Sequence, residues 1–98
     1  MSRKYRRNFA VERSIDLHGM TTEEAFAQLS DFLARCQFEG VKNALIITGG
    51  NSMKTSVLRA SLMKWAKESF GEYIASFAQA QLHHGGEGAF YVILKRII

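Results

Sequence analysis

Residues 13–48 hold a short apolar run, an amphipathic helical stretch and a second short apolar run, in that order. That succession leaves few folds open. Two strands joined through a helix must lie parallel, with a right-handed crossover, because a tight hairpin cannot contain the helix. The first run, 13–18, reads as a strand. Thr21-Thr22-Glu23-Glu24 then has capping-box spacing, a hydroxyl for the N3 amide and a carboxylate to reach back. From there Ala25, Leu29, Phe32, Leu33 and Cys36 recur at helical spacing, so a helix over 21–39 has one apolar face. Gly40 is a suitable stop. Ala44-Leu45-Ile46-Ile47-Thr48 is short, continuous and β-branched, as expected of a strand covered on both faces.

Gly49-Gly50-Asn51-Ser52 breaks the pattern, and a second helix is expected over 55–69. Leu58, Leu62, Trp65 and Ala66 form its apolar face, while Lys54, Arg59, Lys64 and Lys67 make the segment basic. Trp65 could stack a base, but at this spacing it reads as core. Residues 73–80 read as a third strand and 90–95 as a fourth, antiparallel to the third because the 82–88 connection is short. The chain is therefore expected to be an α/β (α+β) domain, βαβαββ, with a four-stranded mixed sheet.

The 98 residues, 47% of them apolar, suit one domain with one modest core. Charge is uneven. Four of the thirteen basic residues, Arg3, Lys4, Arg6 and Arg7, lie in the first seven positions, which leaves nine basic against nine acidic elsewhere. We divide the chain into a basic arm, 1–12, and a domain, 13–98. The arm either holds a phosphate backbone or is a solvated terminus, and its nearness to the domain suggests a fragment of a longer protein. The single cysteine, Cys36, allows no internal disulfide and reads as a small buried apolar residue. With no apolar run of membrane-spanning length, a cytoplasmic monomer is expected.

The chemistry gathers at one edge. If strands one to three run the same way, their C-terminal ends share the edge beyond which open α/β sheets bind ligands. Asp16-Leu17-His18-Gly19, Gly49-Gly50-Asn51 and the loop through His83, His84, Gly85, Gly86 and Gly88 meet there. Asp16 and His18, two apart, leave the same face of a strand, as an acid orienting an imidazole would. Glycine turns ahead of a helix offer backbone amides to an anion, with Lys54 and Arg59 as cationic helpers. Three histidines and one cysteine show no structural-metal spacing.

Four blocks in fixed order carry a family resemblance: residues 15–21 (Ile-Asp-Leu-His-Gly-Met-Thr), 47–51 (Ile-Thr-Gly-Gly-Asn), 57–59 (Val-Leu-Arg) and 84–92 (His-Gly-Gly-Glu-Gly-Ala-Phe-Tyr-Val). Over residues 13 to 96 the chain resembles the Smr, or small MutS-related, domain, most of all its stand-alone bacterial members. The resemblance implies a two-layer α/β sandwich similar to the C-terminal domain of bacterial translation initiation factor three. It also implies DNA nicking or endonucleolytic RNA cleavage, in some members of messenger on stalled ribosomes. The family's Asp-Leu-His motif, carried onto Asp16 and His18, is implicated in cleavage. One position departs from the family. Its second motif is His or Thr, Gly, any residue, Gly, and here Asn51 replaces the last glycine. Asn tolerates positive φ best among other residues, but its side chain could crowd a phosphate.

On RNA, His18 would take a proton from the 2′-hydroxyl, Asp16 would orient the ring, and no cofactor is needed. The amides of Gly49, Gly50 and the Gly85–Gly88 loop would stabilise the developing charge. On DNA, which lacks that hydroxyl, a divalent ion held by Asp16 with His18 or His84 becomes more attractive. The alternative is a non-catalytic module that binds nucleic acid or the ribosome.

Overall fold

A computed structural model of the protein describes residues 10–50, 52–81 and 86–96. Elements follow in the order β1 (Arg13–Asp16), α1 (Thr22–Phe38), β2 (Asn43–Ile47), α2 (Met53–Glu68), β3 (Ile74–Gln79) and β4 (Ala89–Leu94), with a short 3₁₀ turn, Gly86–Gly88, before β4. The strands lie in the order β1-β2-β4-β3. β1 is parallel to β2, and β4 is antiparallel to both β2 and β3. So β1, β2 and β3 point one way. Their C-terminal ends, with the start of β4, form one edge of the sheet.

Side-chain alternation on the central strands explains their continuous apolar sequence. Ala44 and Ile46 of β2, with Phe90, Val92 and Leu94 of β4, join the main core under the helices. Leu45 of β2, with Ala89 and Tyr91 of β4, forms a second cluster on the other face, against which Ile47 and Ile93 pack. The edge strand β1 is mostly exposed. Leu17, just beyond it, is fully buried and anchors the chain there.

Thr21 caps α1 as its spacing implies. Its hydroxyl accepts from the Glu24 amide at 3.1 Å, and the Glu24 carboxylate accepts from the Thr21 amide at 2.9 Å. Ala25, Leu29, Phe32, Leu33 and Cys36 are its buried residues. Burial pushes the Cys36 thiol up, which suits the core role. Gly40, at φ +77°, closes the helix as the Val41 amide donates to the Cys36 carbonyl at 2.9 Å. Trp65 is partly buried against the core and meets Phe26 edge-on, at 5.2 Å between ring centres.

Element ends differ from the sequence reading by one or two residues, β1 for instance ending at Asp16 rather than His18, and two of the differences have a clear cause. Glu12, assigned to the arm, belongs to the folded part: its amide donates to the Asn43 carbonyl, and its carboxylate accepts from the Lys42 and Asn43 amides at 3.0 and 2.8 Å. The second helix begins at Met53 rather than residue 55, because Ser52 is its N-cap and accepts from the Thr55 amide at 3.1 Å.

Candidate functional site

Sequence spacing placed Asp16 and His18 on one face of a strand. The structure joins them differently. β1 ends at Asp16, Leu17 goes into the core, and His18 lies in the following turn. The Asp16 carboxylate accepts from the His18 backbone amide at 3.0 Å and meets the ring Nδ1 at 2.8 Å. One oxygen thus fixes both the turn and the imidazole, a short-range side-chain bond of the kind Asp favours at strand ends. The His18 amide holds the Asp16 carboxyl below its ordinary value of 3.8; partial burial opposes this, and the ring bond adds to it.

That geometry assigns the tautomer. An ionised carboxylate only accepts, so the neutral ring carries its proton on Nδ1. Nε2, on the far side of the ring, then presents a lone pair. It has no protein partner among the described residues, and the His18 side chain is 70% exposed.

The glycine turn after β2 packs directly against this pair. Gly49 has φ +99°, and a Cβ there would stand 3.0 Å from the His18 Cβ and 3.7 Å from the Thr55 hydroxyl. Both the close approach and the positive φ call for glycine. Its other neighbour is Gly88, where a Cβ would lie 2.5 Å from the Gly49 carbonyl oxygen. The Gly88 carbonyl accepts from the Thr48 amide at 2.8 Å, the Gly49 amide at 3.1 Å and the Thr48 hydroxyl at 3.3 Å. This clamp corrects one expectation. The Gly49 amide is not offered to an anion, because it is spent on Gly88. The Gly86 amide is likewise spent, on the Gln81 carbonyl at 3.0 Å.

What remains for an anion lies at the start of α2. Ser52 satisfies the Thr55 amide through its hydroxyl and the Ser56 amide through its carbonyl. The Met53 and Lys54 amides have no acceptor among the described residues, as the first turn of a helix leaves them. That turn holds no acidic residue. Lys54 reaches back across the edge, and its ammonium donates to the Gly19 carbonyl at 2.7 Å, which straps the His18 turn to α2. Gly50 is exposed, with open space where a Cβ would go. Arg59 stands one helical turn beyond Thr55; its Nε is buried and has no acceptor among the described residues.

The structure therefore brings Asp16, His18, Gly49, Gly50, Lys54 and Gly88 together at one edge. Asn51, His84 and Gly85, with Arg3, Lys4, Arg6 and Arg7 of the arm, lie outside the described residues. Sequence reasoning missed three participants: Ser52, Thr48 and the Gly88 carbonyl. The Ser52 cap carried a signal, a serine just ahead of the helical period. The Gly88 clamp carried none, since it depends on β4 lying beside β2. Among the described residues no three His, Cys, Asp or Glu side chains gather as a metal site, and no helix is long and apolar enough to cross a membrane.

The family model of the Smr domain matches residues 15–95. The chain belongs to the Smr domain family. Two curated relatives of this Smr chain are the ribosome rescue factor SmrB of Haemophilus influenzae, 32% identical over 89 residues, and the probable DNA endonuclease SmrA of Escherichia coli, 30% identical over 91. These alignments take in 91% and 90% of this chain but only 50% and 48% of the relatives, so the chain spans about half their length. Among solved structures it is similar to YdaL, a stand-alone small MutS-related protein from Escherichia coli. That match has a TM-score of 0.78 and 28% identity, and covers 85% of this chain and 64% of the other. The Smr domain of Thermus thermophilus MutS2 shares the fold at a TM-score of 0.73 and 24% identity, over 85% of this chain and 98% of the other.

Proposed function

We propose that this Smr domain is an endonuclease that cleaves RNA by transesterification at His18. One observation carries the reading: an exposed imidazole, tied through Nδ1 to a carboxylate, with Nε2 left without a partner among the described residues, on a turn that Lys54 of α2 straps. Nε2 takes the proton of a ribose 2′-hydroxyl. The freed oxygen bonds to the adjacent phosphorus, the bond to the 5′-oxygen breaks, and that oxygen takes a proton from water. The products end in a cyclic phosphate and a 5′-hydroxyl. His18 then returns its proton to solvent. Asp16 stabilises the protonated ring and keeps it in place. The first-turn amides of α2, the Gly50 amide and the Lys54 ammonium are the groups that would meet the phosphate.

General-base catalysis contributes about 10²–10⁴-fold, so the anion-binding groups must supply a comparable share. Messenger on a halted ribosome is the substrate suggested by relatives named ribosome rescue factors, and it would place the protein in the cytoplasm. The relative named a probable DNA endonuclease makes DNA nicking the other nuclease reading, in which His18 activates water. The spent Gly49 amide favours one further reading, a module that binds nucleic acid or the ribosome without cutting.

The test is end-labelled single-stranded RNA incubated in EDTA with the full chain and with the Asp16→Ala/His18→Ala variant. Cleavage by the parent alone supports the mechanism. Equal products would overturn the Asp16–His18 mechanism, and no products with salt-sensitive binding intact would leave the binding module.

A further inference from the structure

The end of the sheet opposite His18 carries a groove of about 490 Å³, between the close of α1, the start of β2 and the end of β4. Val41 and Leu94, both buried, form its floor, and Lys42, Lys95 and Arg96 line it. None of these three cations has a salt bridge among the described residues. Glu12, the acid bonded beside them, spends its carboxylate on the backbone amides of Lys42 and Asn43. At the helix end the Arg35, Cys36 and Gln37 carbonyls are taken by the Glu39, Val41 and Gly40 amides, and the C-cap Glu39 is the one acidic side chain there, against three cations. At the rim stands Phe38, 84% exposed. A single exposed phenylalanine is ordinary. One beside a groove lined by three cations that have no salt bridge among the described residues has the parts of a stacking platform with phosphate contacts nearby.

We infer that this groove is a second contact for single-stranded nucleic acid, with one base stacked on Phe38 and its flanking phosphates on Lys42, Lys95 and Arg96. The inference rests on the reading of the chain as a nucleic-acid-binding domain, and not on cleavage. An acidic peptide would use the cations but offers a flat face only where it carries an aromatic residue. A nucleic-acid strand supplies a base and a phosphate at every step. The five residues of β2 separate groove and His18 edge by about 17 Å. That distance lies within the reach of one strand, since single-strand sites on small domains take about 4–16 nucleotides. The groove would therefore hold the strand in register while the other edge acts on it.

The experiment measures fluorescence anisotropy of a labelled 2′-O-methyl oligonucleotide of about 12 nucleotides, a length within the usual site size. That probe has no 2′-hydroxyl to react, so binding is read whether or not the chain cleaves. Phe38→Ala is expected to weaken binding about 5–150-fold, and Phe38→Trp to keep it. Lys42→Gln/Arg96→Gln is expected to lower the slope of log K against log salt by about 1.4, the share of two phosphates on a single strand. Absence of binding by the parent, or Phe38→Ala binding like the parent, overturns the groove. So does displacement of the probe by polyglutamate as readily as by polyuridylate. A parent that binds with these dependences but leaves RNA uncut supports the groove and removes only the nuclease reading.

Discussion

Gly88→Ala is the substitution that the geometry condemns most directly. A methyl group there would lie 2.5 Å from the Gly49 carbonyl oxygen and 3.0 Å from its carbon, both backbone atoms that no rotamer change can move aside. The two loops must part, which loosens three donors held on the Gly88 carbonyl. Overpacking of this kind costs about 1–3 kcal/mol. In a domain of this size each kcal/mol shifts the melting temperature by about 4–8 °C. Thermal and urea unfolding followed by circular dichroism should therefore show a fall of roughly 4–24 °C. Gly50→Ala is the control: nothing lies within 4 Å of its Cβ position, so it should match the parent or gain up to about 1 kcal/mol from a stiffer unfolded chain. Gly49 also touches His18, so the displacement should reach the imidazole. A misplacement of about 1 Å at a reacting group can cost about 10²-fold, so RNA cleavage should fall even where the variant stays folded. Equal melting temperatures for the two alanine variants would refute the close packing, and with it the claim that Gly88 positions His18.

Three further outcomes follow from the same geometry. Leu17→Ala empties a fully buried anchor and should cost about 2–5 kcal/mol in urea unfolding, while it also frees the residues on either side. Asp16 has a lowered pKa, so its charge stabilises the fold above the ordinary value of 3.8, and that contribution is lost as pH falls through the lowered value. The stability gap between parent and Asp16→Asn, measured by urea unfolding across acid pH, should therefore be complete near neutrality and close in acid. A gap that widens in acid would contradict the bond to His18. Lys54→Met removes the strap to Gly19, and it should reduce cleavage more than stability, with the melting point within a few degrees of the parent.

Much of this architecture was legible because local signals and long-range packing agree. The Thr21 capping box and the five buried positions of α1 follow from spacing alone, and the double-sided burial of β2 follows from its unbroken apolar run. The joining of Asp16 to His18 was legible as a pair but not as a geometry. Alternation along a strand and a side-chain-to-amide turn both put the two groups close, and only the burial of Leu17 with the end of β1 selects the turn. Glu12 was taken for arm because its partners, the Lys42 and Asn43 amides, lie about thirty residues on, at the entry to a neighbouring strand. The glycine motif looked like a row of free amides. Its partner is the Gly88 carbonyl, set by the β2–β4 register that pairs Ile47 with Ala89, and no short window of sequence contains that fact.

In the proposed mechanism His18 draws a proton from the substrate's own ribose. The most direct measurement compares an end-labelled RNA with the same RNA carrying one 2′-deoxyribose at the mapped cleavage position, in EDTA, with product ends identified by mass spectrometry. The unmodified strand is expected to yield a 2′,3′-cyclic phosphate, and cutting at the modified position is expected to stop. Cutting that continues there, with ends that lack the cyclic phosphate, would contradict this mechanism and make water the nucleophile at this site.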